Sequence, residues 1–191
     1  MAYQTYITEA LVCGSRDSNT YDKSYLLFTR EGGMVFASAR SVRKEKSKQR
    51  YALQDFSHVR VSLVSGKGGW RIAGVESFEN MYFIANGREA RKLVRNTTSL
   101  IRRIIQGESP HQEVFDDVMS SLHECNDVNQ NKLELVLSLR VLNFLGYVPA
   151  RSEYSYLLES QNAYDEIDKM DDKQISLCES TVQSALLNSQ L

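Results

Sequence analysis

The densest group of chemically active side chains is a run of cations in the first third of the chain. Six lysines and arginines fall within 11 residues, interrupted by one acid, Glu45. So many cations in one segment cannot all be buried, so they face water. Grouped lysines and arginines neutralise phosphates and release counterions from nucleic acids. The run predicts contact with DNA or RNA, although a solvated loop that only keeps the protein soluble is the alternative. Its members are Arg40, Arg43, Lys44, Lys46, Lys48 and Arg50.

Aromatic rings near this run would stack on nucleobases, which strengthens nucleic-acid binding. Phe36, Tyr51 and Trp70 are available. Phe36 is expected in the core. Trp70 fits a core position and a stacking position equally well, because it follows a glycine turn and precedes Arg71. Lys67, in that glycine turn, adds a cation to the same candidate surface.

The signals for catalysis are weak. The three histidines are scattered, and GxGxxG, GxSxG and HExxH motifs are absent from the sequence. The cysteines, Cys13, Cys125 and Cys178, are far apart and form no CxxC pair, so neither a disulfide framework nor a zinc site is expected. We therefore predict a protein that is not an enzyme and that holds no metal or cofactor.

Charge divides the chain into two contrasting parts. Residues 1–107 carry 18 Lys and Arg against 9 Asp and Glu, a net charge of +9, whereas residues 108–191 carry 5 against 15, a net charge of -10. Such asymmetry favours an acidic partner, such as nucleic acid, for the first part. The alternative is that the two parts neutralise each other across an internal interface.

The elements that must position the cations are short strands. Thr5–Val12, Ser24–Thr29 and Met34–Val42 have strand-like composition, and Val59–Ser65 alternates between apolar and polar residues. Trp70–Val75 follows the glycine turn as a fifth strand. Five short strands in about 80 residues favour a small closed barrel. The basic run lies between the third and fourth strands, where a barrel has a connecting loop.

Helical periodicity begins after residue 80. Residues 88–105 place apolar side chains on one face and six cations, Arg91, Arg95, Arg102 and Arg103 among them, on the other. This basic face extends a nucleic-acid track, docks an acidic peptide, or is an ordinary solvated surface. Ser109 and Pro110 predict the cap and first residue of the next helix. Leu133–Leu145 is apolar nearly all round and belongs at the centre of the helical layer.

The sequence thus predicts an α+β protein with a barrel domain over residues 1–79 and a helical domain over residues 80–191. Residues 151–191 are polar and acidic, with weak helices expected near 154–164 and 173–187. No apolar run is long enough for a transmembrane helix, and the first residues are too polar for a signal peptide, so a cytoplasmic location is expected.

An ordered set of segments resembles the RecO family of bacterial recombination mediators. Ser24–Met34 is similar to the family's second strand and turn, and Ala39–Arg50 to its basic stretch. Ala52–Phe56 resembles its ALQPF signature, with Asp55 where proline is usual. Gly66–Phe78 resembles the last barrel strand and its exit, and Leu139–Pro149 resembles the LRLLxxLGYxP helix end. The similarity covers residues 5–150.

The resemblance implies an N-terminal five-stranded OB-fold barrel followed by an all-α helical domain. It also implies binding of single- and double-stranded DNA, annealing of complementary strands, and partnership with RecR and the C-terminal tail of single-stranded DNA-binding protein (SSB). Together these would load RecA onto coated strands. Because an acidic tail suits a basic surface of the helical domain, five arginines are candidates for holding it: Arg91, Arg95, Arg102, Arg103 and Arg140.

The sequence also departs from the family pattern. Many members continue from the LGYxP end into a four-cysteine zinc module, whereas residues 150–156 here contain no cysteine. We therefore expect no zinc module. An OB-fold adaptor that binds RecR or SSB without strong DNA affinity of its own remains the alternative function.

Overall fold

The computed structural model describes residues 5–66, 68–149, 153–159 and 167–189 of the chain. Lys67 and part of the predicted helix near 154–164 lie outside these ranges. The strands are β1 (Thr5–Asp17), β2 (Lys23–Thr29), β3 (Gly33–Ala39), β4 (Ser57–Gly66) and β5 (Gly69–Asn80). The helices are α1 (Gln49–Ala52), α2 (Met81–Ile84), α3 (Gly87–Ile104), α4 (Gln112–His123), α5 (Gln130–Phe144), α6 (Ser155–Glu159) and α7 (Asp172–Asn188).

The five strands form a closed barrel in the order β1-β2-β3-β5-β4, with β1 also pairing to β4. β1 is 13 residues long, so different parts of it pair with two different strands. Its first half pairs with β4 and its second half with β2, and the register shifts between Val12 and Gly14. Such a bulge bends a strand and increases its twist, which closure of a small barrel requires. β3 and β5 complete the ring as a parallel pair.

Side chains that alternate along the strands point into the barrel and fill its interior. In β3, Val35, Ala37 and Ala39 are buried, whereas Phe36 between them is exposed. The same period places Val59, Val61 and Leu63 of β4 in the interior. Two residues from the connection after β3 close one side of this core, namely Val42 and Leu53. The basic segment between β3 and α1 is therefore anchored by apolar residues at both ends.

Residues 105–115 pack with the barrel. The N–H of Met34 donates to the carbonyl of Gly107 over 2.9 Å, and the rings of Phe28 and Phe115 lie 5.4 Å apart. The predicted helix start at Ser109 and Pro110 is wrong, since α4 begins at Gln112. The backbone of 107–109 lies against the start of β3, so it is not available for a first helical turn.

The helical unit is built around α5, which packs against α3, α6 and α7. The central position predicted for this helix is confirmed, since six of its apolar side chains are buried. Gly146, with φ of 78°, ends the helix, and the N–H of Tyr147 donates to the carbonyl of Leu142 over 2.9 Å. The N-terminus of α7 has a capping box formed by Asp171 and Gln174.

The chain forms two compact units, Met1–Ile84 with Ile105–Phe115, and Ala85–Ile104 with Asp116–Leu191. The predicted α+β class, an OB-fold barrel followed by helices, is confirmed. A division between residues 79 and 80 stays a prediction. Among the described residues, no helix is both long and apolar enough to cross a membrane.

Candidate nucleic-acid interface

The basic loop, residues 40–50, leaves the end of β3 and is held to the turn between β1 and β2. The guanidinium of Arg43 lies 3.1 Å from a carboxylate oxygen of Asp17 and donates to the carbonyl of Asn19 over 3.1 Å. The backbone N–H of Arg43 donates to the carbonyl of Tyr21, also over 3.1 Å. Arg43 therefore fastens one end of the basic loop and has only part of its donor capacity left for phosphate.

A second attachment fixes the start of the loop. Ser41 has a positive φ of 54°, and its N–H donates to Oδ1 of Asp22 over 2.7 Å. This hydrogen bond, followed by one from Asn19, lowers the pKa of Asp22, so the acceptor stays ionised at neutral pH. The ammonium of Lys44 lies 5.4 Å from the ring centroid of Tyr21, a cation–π contact on the same turn.

The other cations of the loop face solvent. Arg40, Lys46, Lys48 and Arg50 are exposed, and none forms an ion pair with any residue in the described ranges. Arg40 and Lys44 are close enough to Asp22 to lower the pKa of its carboxyl group. An incoming phosphate would gain the attraction of Lys46, Lys48 and Arg50 without first displacing a carboxylate of the described residues. These four side chains and Lys44 are the part of the predicted site that is most available for a polyanion.

Beside this loop, strand register creates an outer sheet face across β1, β2, β3 and β5. Arg16, Ser24, Ser38 and Arg71 lie in one cross-strand row. Gly14, Leu26 and Phe36 form the neighbouring row. Phe36 is 60% exposed, and the guanidinium carbon of Arg16 lies 5.8 Å from its ring centroid. This face offers a ring for stacking with cations on either side.

The expectation that Phe36 belongs to the core is wrong. Residues 36 and 38 share one side of β3, because side chains alternate along a strand, and Ser38 is polar, as is Arg40 just after the strand. That alternation was the signal in the sequence that could have placed Phe36 outside. Arg16 carried no such signal, since only the β1–β2 register brings it to this face.

Trp70 and Arg71, both predicted to contact DNA, occupy different environments. Trp70 is half-buried, packs 6.3 Å from the ring of Tyr6, and donates its indole N–H to Glu108 over 2.9 Å. These contacts give the indole a structural role. Arg71 lies opposite Ser38 on the outer sheet face, where its charge reaches the same surface as Phe36.

In the helical unit, the predicted partner-binding arginines Arg91, Arg95, Arg102 and Arg103 are all exposed on α3. A groove of about 640 Å³ lies between α3, α5 and α7. Arg103 lines it and donates to the carbonyl of Leu186 over 3.4 Å. Leu100, Leu135 and Val182 supply apolar lining. The charged residues of the lining balance, since Glu134 and Glu179 accompany Lys92 and Arg103.

Arg140 differs from the other four arginines. Its guanidinium contacts both carboxylate oxygens of Asp117, at 2.8 and 2.9 Å, and donates to the carbonyl of Leu157 over 3.1 Å. The side chains of Arg140 and Asp117 are each only 11% exposed. Burial raises the pKa of Asp117 more than Arg140 lowers it. We therefore assign Arg140 a structural role and remove it from the candidate partner surface.

Two of the cysteines have buried thiols of low reactivity. Cys125 and Cys178 are buried, and burial raises the pKa of both thiols. Thiols with raised pKa values remain protonated near neutral pH and are poor nucleophiles and metal ligands. These cysteines are core residues.

Comparison with known proteins shows which proteins the chain is similar to. Residues 1–81 match the family model described as "Recombination protein O N terminal". The chain is 29% identical over 144 residues to "DNA repair protein RecO" of Desulfitobacterium hafniense (strain DSM 10664 / DCB-2), covering 75% of this chain and 53% of the relative.

Two further relatives have the same name. The protein of Pelotomaculum thermopropionicum is 26% identical over 151 residues, covering 79% of this chain and 59% of the relative. That of Symbiobacterium thermophilum is 26% identical over 147 residues, covering 76% of this chain and 58% of the relative. The chain thus spans little more than half the length of these relatives. The resemblance drawn from the sequence is confirmed.

Proposed function

We propose that this chain is a DNA-binding recombination mediator in DNA repair that binds single- and double-stranded DNA, because residues 1–81 match the RecO N-terminal family model and the chain is similar to RecO proteins over 144 residues. The observation that carries the proposal is the position of the basic loop beside the outer sheet face. One barrel carries the exposed cations of the basic loop and an exposed phenylalanine, Phe36, with the guanidinium of Arg16 near its ring. OB-fold barrels bind oligonucleotides through this kind of surface.

The proposed mechanism requires no covalent chemistry. Phosphates bind the cations of the loop, and unpaired bases stack on the outer sheet face, so binding does not depend on base sequence. Two complementary strands held on one cationic surface lose less entropy when they pair, and their mutual repulsion is screened. Annealing follows from binding alone, and we propose that the protein acts without catalysis.

For partners, we propose RecR and the C-terminal tail of SSB, with RecA loaded onto the strand that is released. The exposed arginines of α3 support the tail assignment, because an acidic peptide is attracted to a positively charged helix face. The groove between α3, α5 and α7 offers apolar side chains beside that face, although Glu134 and Glu179 also line it. Arg103 lies at that groove, and Arg91, Arg95 and Arg102 extend the positive charge along α3.

A second candidate function is an OB-fold adaptor that binds these proteins without strong DNA affinity of its own. The net charge of -10 over residues 108–191 favours it, since this part of the chain repels DNA. The two candidates differ in one measurable property, which is salt-dependent binding of DNA by the protein alone.

The deciding experiment is a titration of a labelled single-stranded oligonucleotide, followed by fluorescence anisotropy at several salt concentrations. The test variant combines Lys44→Ala, Lys46→Ala and Lys48→Ala, and it keeps Arg43 because that residue fastens the loop. Each phosphate contact on a single strand contributes about 0.7 to the slope of log K against log salt. We expect the variant to bind more weakly, with a slope shallower by up to about 2.

A control of equal charge change combines Arg88→Ala, Lys169→Ala and Lys173→Ala, three exposed cations outside the loop. We expect it to lose much less affinity than the loop variant. No binding by the wild type at low salt would contradict the mediator proposal and favour the adaptor. Equal losses in both variants would show that net charge, rather than the loop, determines affinity.

A further inference from the structure

A second feature of the barrel unit is a cleft of about 750 Å³ beside the basic loop. Its walls come from α1, from the segment between α1 and β4, and from α2, together with residues at the facing ends of β1 and β2. The segment Ala52–Phe56, which the sequence singles out as a family signature, supplies several of the lining residues. The volume lies in the range of small-molecule and cofactor sites.

Two exposed aromatic rings line the cleft. Tyr51 on α1 is 68% exposed and Phe83 on α2 is 67% exposed, and both line the cavity. Behind them the rings of Phe56 and Tyr82 are stacked, with centroids 5.5 Å apart and planes inclined by 24°. Exposed rings of this size are costly in water, so two of them on one cavity indicate a ligand with a flat apolar face.

The backbone that presents these rings is strained and firmly held. Phe56 has a φ of 70°, a conformation that bulky residues rarely adopt. Its N–H donates to the carbonyl of Val12 over 2.7 Å, and its carbonyl accepts from Met81 over 3.0 Å. Strain that is fixed from both sides is typical of binding sites, because it holds a side chain in a position that relaxed backbone would not give.

The side chain of Asn80 connects the segment that carries Phe56 with the helix that carries Tyr82 and Phe83. Its side-chain N–H groups donate to the carbonyl of Asp55 over 2.9 Å and to the hydroxyl of Ser57 over 3.0 Å. Its side-chain oxygen accepts from the N–H groups of Tyr82 and Phe83, at 3.1 and 3.2 Å. One amide therefore fixes α2, and with it Phe83, relative to the segment that carries Phe56.

The cleft carries charges of both signs. Asp17 is paired with Arg43 at 3.1 Å and with Lys23 at 3.8 Å, and all three residues line the cavity. Asp55 also lines it and makes no ion pair with a described residue, so its carboxylate is able to accept hydrogen bonds from the N–H groups of a nucleobase. Arg50 lines the cleft next to Tyr51 and makes no ion pair with a described residue, so it is placed to bind a phosphate at the rim. This arrangement suits a nucleotide with its base inside and its phosphate outside.

We propose that this cleft binds an unpaired nucleobase of single-stranded DNA, stacked on Tyr51 and Phe83, and that the protein therefore prefers single strands to duplexes. A base within a duplex has its faces and its pairing edge occupied, so it cannot enter. The inference rests on the proposed function, since it assigns one substrate class to one part of the DNA-binding unit. The basic loop would then hold both kinds of DNA, and the cleft would distinguish between them.

The test compares the wild type with the double variant Tyr51→Ala, Phe83→Ala on three DNAs of equal length: a single strand, a blunt duplex, and a single strand that is abasic at every position. Stacking accounts for roughly tenfold in affinity per base. We expect the double variant to lose tenfold or more on the intact strand and less than twofold on the duplex. On the abasic strand the two proteins should bind with equal affinity.

Three controls accompany the test. Tyr51→Leu retains an apolar side chain but loses the ring, and should bind as weakly as Tyr51→Ala, whereas Tyr51→Phe should bind like the wild type. Ile7→Ala removes an exposed apolar side chain of β1 outside the cleft and should change nothing. Urea denaturation should show similar stability for all variants, since the truncated side chains are largely exposed.

The outcomes separate the inference from the proposed function. Equal losses on single strand and duplex, or a loss that persists on the abasic strand, would overturn the base-binding role. Unchanged DNA binding by the double variant would do so as well, and would leave a protein segment as the occupant, with the mediator function intact. A wild type that binds none of the three DNAs would overturn the proposed function and the inference together.

Discussion

Tyr25 shows how the barrel interior alters a single ionisable group. The residue is 2% exposed within the core cluster, and burial raises its pKa to about 12, with smaller contributions from Asp55 and Asp17. Burial disfavours the phenolate, because a charge in the apolar interior loses its hydration. The hydroxyl therefore stays neutral in the folded state at a pH where an unfolded chain has begun to ionise.

This difference predicts a loss of stability at alkaline pH. Between the ordinary tyrosine value of 10.0 and about 12, the unfolded state releases the proton while the folded state keeps it. The free energy of unfolding therefore falls as pH rises through this window. Tyr25→Phe should match the wild type near pH 8 and lose less stability between pH 10 and 11.5, measured by urea denaturation. Identical pH slopes would argue that Tyr25 is not buried as a neutral phenol.

The buried pair of Arg140 and Asp117 gives a second prediction for single residues. Arg140→Met should cost about 3–5 kcal/mol, because it leaves a buried carboxylate without a partner. The double variant Asp117→Leu, Arg140→Met should recover most of that loss, since it removes both charges. The single variant should regain stability as pH falls, because a proton can then neutralise Asp117. Urea denaturation at pH 7 and pH 5 measures both effects, and a cost below 1 kcal/mol would contradict the buried pair.

At the scale of elements, β3 depends on a glycine at its first residue. Gly33 has a φ of +66°, and a Cβ there would lie 2.2 Å from the carbonyl oxygen of Ser109 and 2.8 Å from its nitrogen. The obstacle is backbone, which cannot rotate away as a side chain can. The close approach of the segment 107–109 to β3 therefore requires a residue without a side chain.

Gly33→Ala should lower the free energy of unfolding by more than 2 kcal/mol, combining about 1 kcal/mol for the positive φ with the cost of displacing residues 107–109. Gly68→Ala is the matched control, because no atom lies within 4 Å of the added Cβ. It should change stability by less than about 0.5 kcal/mol. Thermal or urea denaturation compares the two variants, and similar losses in both would refute the role assigned to the close approach.

Elements were the most predictable part of this protein. Alternation placed β4 and the 3.6-residue period placed α3, since burial of one face leaves a periodic trace in the sequence. Composition and turn residues placed the other four strands, and an apolar run placed α5. The periodic pattern did not predict the elements whose bounds depend on tertiary contacts or that are very short. The start of α4 shifted because 107–109 lies against β3, and α1 and α2 are too short to show a period.

The charges of the candidate site were more predictable than its rings, because the sequence named Tyr51 for stacking but placed Phe36 in the core and did not single out Phe83. The basic loop is evident from composition, because six cations in one segment must be exposed. Phe36, Tyr51 and Phe83 acquire their positions from register and from short helices, neither of which composition reveals. The roles of Arg43 and Arg140 were equally hidden, since an arginine that braces the fold and one that binds a ligand look the same in a sequence.

At the scale of the whole molecule, the distribution of charge opposes the proposed function. The net charge of -10 over residues 108–191 repels DNA that the net charge of +9 over residues 1–107 attracts. Long-range repulsion between exposed charges is screened, with a Debye length of about 10 Å at 0.1 M salt and about 3 Å at 1 M. The acidic part should therefore reduce DNA affinity at low salt and have little influence at high salt.

Neutralising three exposed acids of this part, with Glu124→Gln, Asp168→Asn and Glu179→Gln, should raise affinity for a single strand a few-fold at 50 mM salt. The gain should vanish near 0.5 M. Gln183→Ala with Ser184→Ala, two exposed neutral residues of α7, is the control and should have no effect. Anisotropy titrations measure both, and a gain that persists at high salt would point to a local contact instead of a long-range field.

The barrel closes through its shortest strand pairing, the parallel pair of β3 with β5, in which Ala37 faces Trp70 and Ser38 faces Arg71. Two residue pairs cannot by themselves offset the entropy lost when the intervening chain is closed into a loop. We therefore expect β1–β2–β3 and β4–β5 to assemble first and this pairing to form last during folding. Until then β3 is an open edge, because its partner strand is synthesised some thirty residues later. A nascent chain that stalls between the two would expose that edge to other chains, so slow synthesis of β4 and β5 should favour aggregation.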